Sequence, residues 1–422
     1  MIQYRRRLLR RRLEAHSPEI VGIAGRQEEG LFMNAMKVVG GVLLMMAAGC
    51  CSVRHSDEVR GALGPYVERG EIAGVVSVLS DPDYWETWDC FGWADAENRV
   101  PMRPDTVFAI FSMTKTFTGC AIMVAVDRGI LRMDDPVAKY LPEFQRLENQ
   151  ITIRDCMCHV TGIQGGEVSM IHTSVPVREQ ARSLALNGKC VRRVGEKFAY
   201  GNISIATAAA CLEVAAGVPY ERFLREHVLD PLGMDDTRFT PTPDMLRRLV
   251  KAYTTKGGPF RPADDRCCGQ LKFPAGHKIY PMPAAGLYST PADMIRFSQM
   301  LAHHGEWKGK TIVSRKTFDE IWAKKQTPDG VSESYTVGSW LYGEWFGHEG
   351  AMRTDQRANL KTGHSRVFFI QTENAAGPAF FAAKIAWNRA CDRAQGMAVP
   401  IADELIRSHE NDRKKTGRQY MK

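Results

Sequence analysis

One stretch, residues 105–129, constrains the fold more than any other part of the chain. An apolar, strand-like run from Val107 to Phe111 leads directly into Ser112, and an apolar helical pattern then continues to Gly129. Glycine is favoured just past a helix end, so the pattern predicts a strand followed at once by a helix. Ser112 then stands at the start of that helix, and Lys115 lies one turn further along the same face.

This spacing is typical of an activated nucleophile. A serine hydroxyl is a weak nucleophile unless a neighbouring group accepts its proton, and an amine one helical turn away can do so. The unpaired amide N–H groups of a helix start also favour negative charge on a carbonyl under attack. Serine and lysine are common, however, so a helix-capping serine with an exposed lysine is the alternative at this point.

Strand patterns lie at both ends of the chain, and helical patterns fill the middle. The strand patterns cover residues 75–79, 84–91, 341–347, 352–360 and 366–372, and the flanking helical patterns cover 53–70 and 380–394. We therefore expect an α/β fold of the α+β type, with an antiparallel sheet flanked by helices and formed by both ends of the mature chain. A mainly helical lobe, about residues 112–285, is inserted between them.

Two further segments carry local signals. Thr290 is a natural N-cap, and Pro291 fits the first position of the helix that follows it. Residues 240–285 are rich in proline, glycine and charge and have little periodicity, so we expect loops around a cleft. The whole folded domain should span residues 52–395, and residues 396–422 should form a helix end and a charged tail.

Residues 1–50 read as a basic arm and an export signal. Six arginines lie within the first twelve residues, and they account for most of the net charge of +8. No zinc-finger spacing or aromatic RNA-binding string accompanies this charge, so we expect no nucleic-acid partner. The apolar run from Val38 to Ala48 is too short to span a bilayer and has the proportions of a signal-peptide core. A long arm before a signal is unusual, which favours translation from Met33 or Met36.

The residues that end this run bear on membrane anchoring. Ala47-Ala48-Gly49-Cys50 resembles the cleavage box of bacterial lipoproteins, although Ala47 stands where leucine is usual. Two outcomes stay open, namely anchoring through lipid on Cys50 and release as a soluble exported protein. Either outcome places the protein in the periplasm or cell envelope.

The chain has eleven cysteines, an odd number that cannot pair completely within one molecule. Cys156-Met-Cys158-His159 and Cys267-Cys268 lack a second pair at zinc-finger spacing, so we expect no metal site. Buried small hydrophobic residues or disulfide partners are the better interpretations of these cysteines.

The order of motifs resembles one family, the class C serine β-lactamases with their penicillin-binding, esterase and D-amino-peptidase relatives. The resemblance covers about residues 55–390. It depends on Ser112-Met-Thr-Lys115, on Tyr200-Gly-Asn202 and on His348-Glu-Gly350. Supporting signatures lie at residues 105–108, 151–154, 159–162, 231–234 and 285–290.

The resemblance implies a role for each motif. Ser112 would carry the acyl group, with Lys115 accepting a hydrogen bond or a proton. Tyr200 would be the general acid/base, with its phenolate favoured by the lysine charge, and Asn202 would orient Lys115 or bind the substrate amide. The backbone N–H groups of Ser112 and Ala351 would form the oxyanion hole.

The third element has two candidates. His348-Glu-Gly350 would border the cleft, with His348 as a weak, pH-dependent cation and Gly350 allowing a close approach to the substrate. Lys361-Thr-Gly363 matches the form found in lactamases, but it lies between two strand patterns where a hairpin turn is expected. The first choice argues against efficient β-lactam hydrolysis, because a lysine there helps to bind the penicillin carboxylate.

The sequence therefore predicts a serine hydrolase that cleaves an ester or amide through an acyl-enzyme on Ser112. An esterase, a D-amino-acid peptidase and a β-lactamase-like enzyme all fit, and none of them requires a cofactor. The partner would be a small ester, amide or D-amino-acid peptide substrate, and the sequence does not define an oligomeric state. The alternative from another class is a non-catalytic cell-envelope binding protein that keeps the penicillin-binding fold.

Overall fold

The computed structural model describes residues 54–166, 174–255, 259–263, 279–332, 334–373 and 378–397. The export signal, Cys50, the cysteine pair at 267–268 and the charged tail from residue 398 lie outside the described residues. Residues from Arg54 onward belong to one compact unit. The domain limits of residues 52 and 395 stay a prediction.

The strands fall into one large sheet and several short pairs. In chain order they are β1 (Gly74–Ser80), β2 (Glu86–Asp95), β3 (Val100–Pro101), β4 (Phe108–Ala109), β5 (Ile163–Gln164), β6 (Lys189–Cys190), β7 (Tyr253–Thr254), β8 (Arg261–Pro262), β9 (Tyr288–Ser289), β10 (Glu306–Trp307), β11 (Lys310–Thr311), β12 (Trp340–Tyr342), β13 (Trp345–Glu349), β14 (Thr354–Asn359) and β15 (Ser365–Phe369).

The helices lie mainly between β4 and β9 along the chain. They are α1 (Asp57–Glu68), α2 (Thr114–Asp127), α3 (Ile153–Met157), α4 (Val177–Asn187), α5 (Ile203–Ala216), α6 (Tyr220–Leu224), α7 (Asp230–Leu232), α8 (Pro243–Arg247), α9 (Pro291–Ala302), α10 (Arg315–Thr317) and α11 (Pro378–Ala394). Short 3-10 turns cover Phe111–Met113, Val137–Lys139 and Pro142–Arg146, and π-helical turns cover Arg225–Leu229 and Phe318–Trp322.

Both ends of the described chain build the large sheet, as the sequence predicts. Its order is β12-β13-β14-β15-β1-β2-β3, and all neighbouring strands are antiparallel. The two halves meet where β1 pairs with β15, with Val76 opposite Phe369. Strand β1 is buried along its whole length because the sheet is covered on both faces.

The two faces of the sheet bury separate apolar clusters. Since side chains alternate along a strand, Val75 and Leu79 of β1 face one side and Val76 and Val78 face the other. Val75 and Leu79 pack with Trp387 of α11 and the apolar stripe of α1. Val76 and Val78 belong to the larger apolar cluster, which also contains residues of α2, α9 and the helices between them.

Local signals explain where several helices begin and end. The hydroxyl of Thr290 accepts a hydrogen bond from the backbone N–H of Asp293, and Pro291 opens α9, as predicted. Gly129 and Gly217 have φ values of 67° and 68°, and they terminate α2 and α5 in the left-handed conformation that glycine adopts most easily. Residues 114–125 of α2 are buried on every side, so this helix lies in the middle of the molecule.

Three expectations need correction. The strand predicted for residues 341–347 is interrupted at Gly343, where a φ of 57° creates a tight turn between β12 and β13. Residues 240–285 contain α8 and the pair β7–β8 as well as loops. The cysteines at positions 90, 120, 156, 158, 190, 211 and 391 are all free thiols, so none of these described cysteines is a disulfide partner.

No single helix within the described ranges is long and apolar enough to cross a membrane. One bent pair, Ile203–Ala216 with Tyr220–Leu232, passes a test of length and composition alone.

Candidate active site

Ser112 lies in the tight turn that joins β4 to α2. The residue before it, Phe111, has a φ of 46°, so the chain bends sharply and leaves Ser112 half-buried at the helix entrance. The backbone N–H of Ile110 donates to the carbonyl of Leu287 at 3.0 Å, which holds this turn against the segment that leads into β9. The predicted position of Ser112 at a helix start agrees with this geometry.

Lys115 is buried completely and contacts Ser112 directly. Its Nζ lies 3.2 Å from Ser112 Oγ, 2.8 Å from Asn202 Oδ1 and 2.9 Å from the carbonyl oxygen of Ala284. The amide oxygen and the carbonyl oxygen can only accept hydrogen bonds, whereas the serine hydroxyl can donate or accept. A neutral amine can therefore donate to both oxygens and direct its lone pair at Ser112.

Asn202 immediately precedes α5 but makes no capping bond with its side chain. Its amide oxygen faces Lys115 instead, in agreement with one of the two roles that the resemblance implies for it. Because Ala284 contributes a backbone oxygen, the second contact of the amine carries no side-chain signal in the sequence. The two contacts fix the Lys115 amine beside the nucleophile.

Tyr200 closes the other side of Ser112. Lys115 Nζ lies 4.6 Å from the centroid of the Tyr200 ring. The Tyr200 hydroxyl forms a hydrogen bond with Ser112 and lies 3.5 Å from His348 Nε2. The residue is 43% exposed, while its hydroxyl is engaged with Ser112 and His348. Burial raises the pKa of the Tyr200 hydroxyl well above its usual range, and the contact with Ser112 only partly offsets this.

The predicted phenolate form of Tyr200 is therefore wrong for the resting protein. Desolvation penalises the charged form of a phenol, and here it outweighs the other influences on the hydroxyl. Tyr200 consequently carries a proton that it can donate.

His348 is buried at the end of β13, with 3% of its surface exposed. Its Nδ1 lies 2.7 Å from the carbonyl oxygen of Glu349, so Nδ1 carries the proton and Nε2 accepts. Burial, and then the charge on Lys115, lower the pKa of His348 to about 3. The predicted pH-dependent cation is thus wrong, because His348 is neutral near pH 7.

Gly350 brings the end of β13 against the turn that carries Ser112. A Cβ atom at this position would lie 2.2 Å from Thr354 Oγ1 and 2.5 Å from the carbonyl oxygen of Ile110. Only glycine permits this approach, because a larger residue would collide with the backbone of Ile110 and the side chain of Thr354. Ala351 follows at once, and no partner for its N–H, or for that of Ser112, is found within the described residues.

The competing motif lies in a surface turn after β14. The side chain of Lys361 is 75% exposed, and its Nζ forms an ion pair of 2.8 Å with Glu344. Gly363 has a φ of 76°, and Asn359 Oδ1 accepts from the backbone N–H groups of Lys361 and Thr362. This turn and Gly350 lie at opposite ends of β14. A strand rises about 3.3 Å per residue, so the two ends of β14 are roughly 17 Å apart.

His159 is a residue near the site to which sequence reasoning gave no role. Its Nδ1 accepts from Ser204 Oγ at 3.2 Å and faces the N–H of Gly201 at 3.4 Å, and its Nε2 lies 3.2 Å from the hydroxyl of Tyr335. Its ring centroid is 4.7 Å from that of Tyr200. The one signal was its place in a supporting signature of the resemblance.

The geometry groups the nucleophile, the amine, the phenol and the third element around the turn that joins β4 to α2. Within the described ranges, no cluster of three or more histidine, cysteine or acidic side chains could hold a metal ion. An antiparallel sheet built from both chain ends, with a serine–lysine pair at the start of the central helix, is the architecture of β-lactamase-related serine hydrolases.

The chain belongs to the beta-lactamase family, whose model matches residues 59–389. It is similar to the D-alanyl-D-alanine-carboxypeptidase/endopeptidase AmpH of Escherichia coli K12, with 30% identity over 217 residues, 50% of this chain and 52% of that protein. The match therefore spans about half the length of this relative.

Solved structures share the fold. The hydrolase EstCE1, which has promiscuous acyltransferase activity, superposes with a TM-score of 0.65 at 19% identity. The alignment covers 79% of this chain and 97% of the EstCE1 chain. The D-amino acid amidase of Ochrobactrum anthropi SV3 gives a TM-score of 0.63 at 21% identity, with 80% of this chain and 99% of that chain covered. At these identities the likeness concerns the fold alone.

Proposed function

We propose that the protein is a serine hydrolase that cleaves an ester or amide bond through an acyl-enzyme on Ser112. The observation that carries this proposal is the placement of Lys115 Nζ, which Asn202 Oδ1 and the Ala284 carbonyl oxygen hold against Ser112 Oγ. A buried amine with both donors occupied in this way is suited to accept the serine proton.

The first half of the reaction transfers the acyl group to the enzyme. Lys115 reacts in its deprotonated form and takes the proton as Ser112 Oγ bonds to the substrate carbonyl carbon. The negative charge on the carbonyl oxygen is stabilised by the N–H groups of Ser112 and Ala351. The bond to the leaving group then breaks, and the leaving group takes the proton of the Tyr200 hydroxyl, which burial keeps protonated in the resting protein.

The second half regenerates the enzyme. A water molecule attacks the acyl carbonyl and gives a proton to the Tyr200 phenolate that the first half left behind. The ester bond to Ser112 Oγ breaks, the Lys115 ammonium returns its proton to Ser112 Oγ, and the carboxylic acid leaves. One water is consumed for each ester or amide bond cleaved.

The substrate is a small ester, amide or D-amino-acid peptide. Carboxypeptidase and amidase activities in the names of AmpH and the Ochrobactrum protein support this range. His348 is neutral and Lys361 is engaged with Glu344 at the far end of β14, so neither supplies a cation for a substrate carboxylate. We therefore expect inefficient hydrolysis of penicillins.

The protein acts outside the cytoplasm in this proposal. The apolar run at residues 38–48 and the small residues that end at Cys50 support export, with cleavage before Cys50 or slightly beyond it. Cell fractionation with N-terminal peptide mapping tests this. A cytoplasmic product that keeps residues 1–49 would contradict it.

The catalytic proposal is tested by labelling the purified protein with a fluorophosphonate probe and mapping the adduct by mass spectrometry. We expect labelling of Ser112 and its loss in Ser112→Ala, with labelling retained in Ser183→Ala on α4. An adduct on another residue would overturn the mechanism. No labelling by any serine-reactive probe would support a non-catalytic binding protein.

A further inference from the structure

A row of aromatic rings extends from Tyr200 to the edge of the sheet. We call it the aromatic wall, and its members are Phe198, Tyr200, Tyr335, Trp340 and Tyr342. The ring centroids of Tyr335 and Trp340 are 4.7 Å apart, those of Phe198 and Trp340 are 6.0 Å apart, and Trp340 stacks on Tyr342 at 5.7 Å. Tyr200 joins the row through Tyr335 at 6.1 Å.

The aromatic wall begins at the nucleophile. Tyr200 hydrogen-bonds Ser112 and contacts Lys115, so a substrate held at Ser112 lies beside the first ring of the row. From there the rings continue along β12, the outermost strand of the large sheet. The wall is therefore continuous with the site of bond cleavage.

The rings divide into a buried base and an accessible surface. Tyr335 is fully buried, and its hydroxyl is held by His159 Nε2 at 3.2 Å. Phe198 and Trp340 are only half-buried, and Tyr200 is 43% exposed. Aromatic side chains that keep an exposed face beside a cleft provide apolar surface that a ligand can cover.

The wall is positioned by the fold rather than by a flexible loop alone. Trp340 is paired with Gly347 in the β12–β13 ladder, and its ring lies 6.2 Å from that of His348. His348 is neutral, so the middle of the wall carries no charge from this neighbour. Among the described residues, two basic side chains contact the ends of the wall: Lys115 Nζ lies 4.6 Å from the ring centroid of Tyr200, and the Arg357 guanidinium lies 5.4 Å from that of Tyr342.

We propose that the aromatic wall binds an aromatic group of the substrate, so that the enzyme prefers esters or amides that carry an aryl substituent over those with small alkyl groups. This inference rests on the proposed serine hydrolase function and adds the substrate class. Stacking on Trp340 and Phe198 supplies the preference, because offset or edge-on contact between rings adds to the burial of apolar surface.

The test uses two pairs of esters with the purified protein. One pair, p-nitrophenyl phenylacetate and p-nitrophenyl acetate, differs in the acyl group, and the other, phenyl acetate and ethyl acetate, differs in the leaving group. We expect the aromatic preference in kcat/KM of at least one pair to fall about tenfold in Trp340→Ala. Trp340→Phe should restore most of it. The matched control is Trp85→Ala, a tryptophan that is 56% exposed on the β1–β2 hairpin and contacts Arg54.

The outcomes separate this inference from the proposed function. Equal preferences in the wild type, Trp340→Ala and Trp85→Ala, with hydrolysis retained, would overturn the aromatic wall and leave the hydrolase intact. Hydrolysis that persists in Ser112→Ala would overturn the proposed function itself. If Trp340→Ala does not fold, Phe198→Ala replaces it, with the same expected fall and the same refuting result.

Discussion

Two tripeptides of the same type, a basic residue followed by any residue and glycine, lie at opposite ends of β14. His348-Glu-Gly350 precedes the strand and is packed against the turn that holds Ser112. Lys361-Thr-Gly363 follows the strand and lies in an exposed turn, where its lysine pairs with Glu344. Only the first is placed next to the nucleophile, although the second matches the lactamase motif more closely by its letters.

The two glycines serve different physical needs. Gly350 lets the strand end approach the carbonyl of Ile110, where a Cβ atom would clash at 2.5 Å. Gly363 supplies a φ of 76° that a tight turn requires. The two basic residues differ as well, because burial keeps His348 uncharged whereas Lys361 remains a solvated cation. Placement in the fold therefore decides what each motif can do.

The largest expected effect concerns the amine beside Ser112. Lys115→Met keeps an apolar chain of similar length in the buried site but removes the group that accepts the serine proton. We expect kcat/KM for p-nitrophenyl acetate to fall by about 10² to 10⁴-fold, the usual contribution of a general base. The control is Lys310→Met, an exposed lysine far from Ser112 in the chain whose Nζ donates to the carbonyl of Pro231 and lies 5.8 Å from the ring centroid of Trp307.

A fall of less than tenfold in Lys115→Met, with the fold intact by circular dichroism, would contradict this assignment. It would also remove the reason for placing the chemistry at the Gly350 end of β14.

The second prediction compares the replacement of each of the two glycines by alanine. Gly350→Ala forces the end of β13 away from Ile110 and moves the N–H of Ala351, so we expect kcat to fall by about 10²-fold or more, as when an oxyanion donor is lost. Gly363→Ala should leave kcat unchanged and lower the free energy of unfolding by about 1 to 2 kcal/mol, because alanine is strained at this φ.

Steady-state kinetics and urea unfolding of both variants decide the matter. Loss of turnover in Gly363→Ala, with turnover retained in Gly350→Ala, would reverse the roles of the two ends of the strand.

Local chemistry explains why much of this arrangement was predictable from the sequence. The β-branched apolar run of β1 and the cap at Thr290 act within a few residues and are visible in the sequence. The spacing of Ser112 and Lys115 required only that a helix start there. The break at Gly343 was missed because apolar residues continue on both sides of it, so the pattern resembles one uninterrupted strand.

The ionisation states could not be predicted in the same way. The pKa values of Tyr200 and His348 depend on burial by residues far away in the sequence, such as Tyr335, and on the position of the Lys115 charge. The Ala284 carbonyl that contacts Lys115 belongs to the backbone and leaves no trace in the residue types. Tertiary packing determines these ionisation states and this backbone contact, and a sequence motif carries no information about tertiary packing.

The third prediction sharpens the contrast between a neutral His348 and a charged Lys361. The pKa of His348 is lowered to about 3 in the folded protein, against about 6.5 in the unfolded chain. The contribution of this pKa difference to the free energy of unfolding is fully present above about pH 6.5. It decreases as the pH falls, because the unfolded state then binds a proton that the folded state does not. Relative to His348→Gln, the wild type should lose about 2 kcal/mol between pH 7 and pH 5.

Urea unfolding of both proteins across this pH range measures the difference. Asp293, whose pKa burial raises to about 6, contributes the opposite slope, but it does so equally in both proteins and cancels. Parallel pH dependences would show that His348 has the same pKa in the folded protein as in the unfolded chain, so that burial does not keep it neutral. A step in kcat/KM near pH 6.5 that disappears in His348→Gln would show the same.

The smallest expected effect is at the other end of β14. Lys361 forms a solvent-exposed ion pair with Glu344, and a hydrogen bond to that carboxylate raises the pKa of the lysine. Exposed pairs gain little, because water and salt screen the attraction and two mobile side chains must be held in place. Lys361→Met should therefore shift the melting temperature by about 1 °C at most and change kcat/KM by less than about twofold. Asn359 Oδ1 continues to accept from the turn backbone in this variant, so the shape of the turn is preserved. A tenfold or larger loss of activity in Lys361→Met would bring this lysine to the substrate, and carboxylated substrates such as penicillins would then become the better candidates.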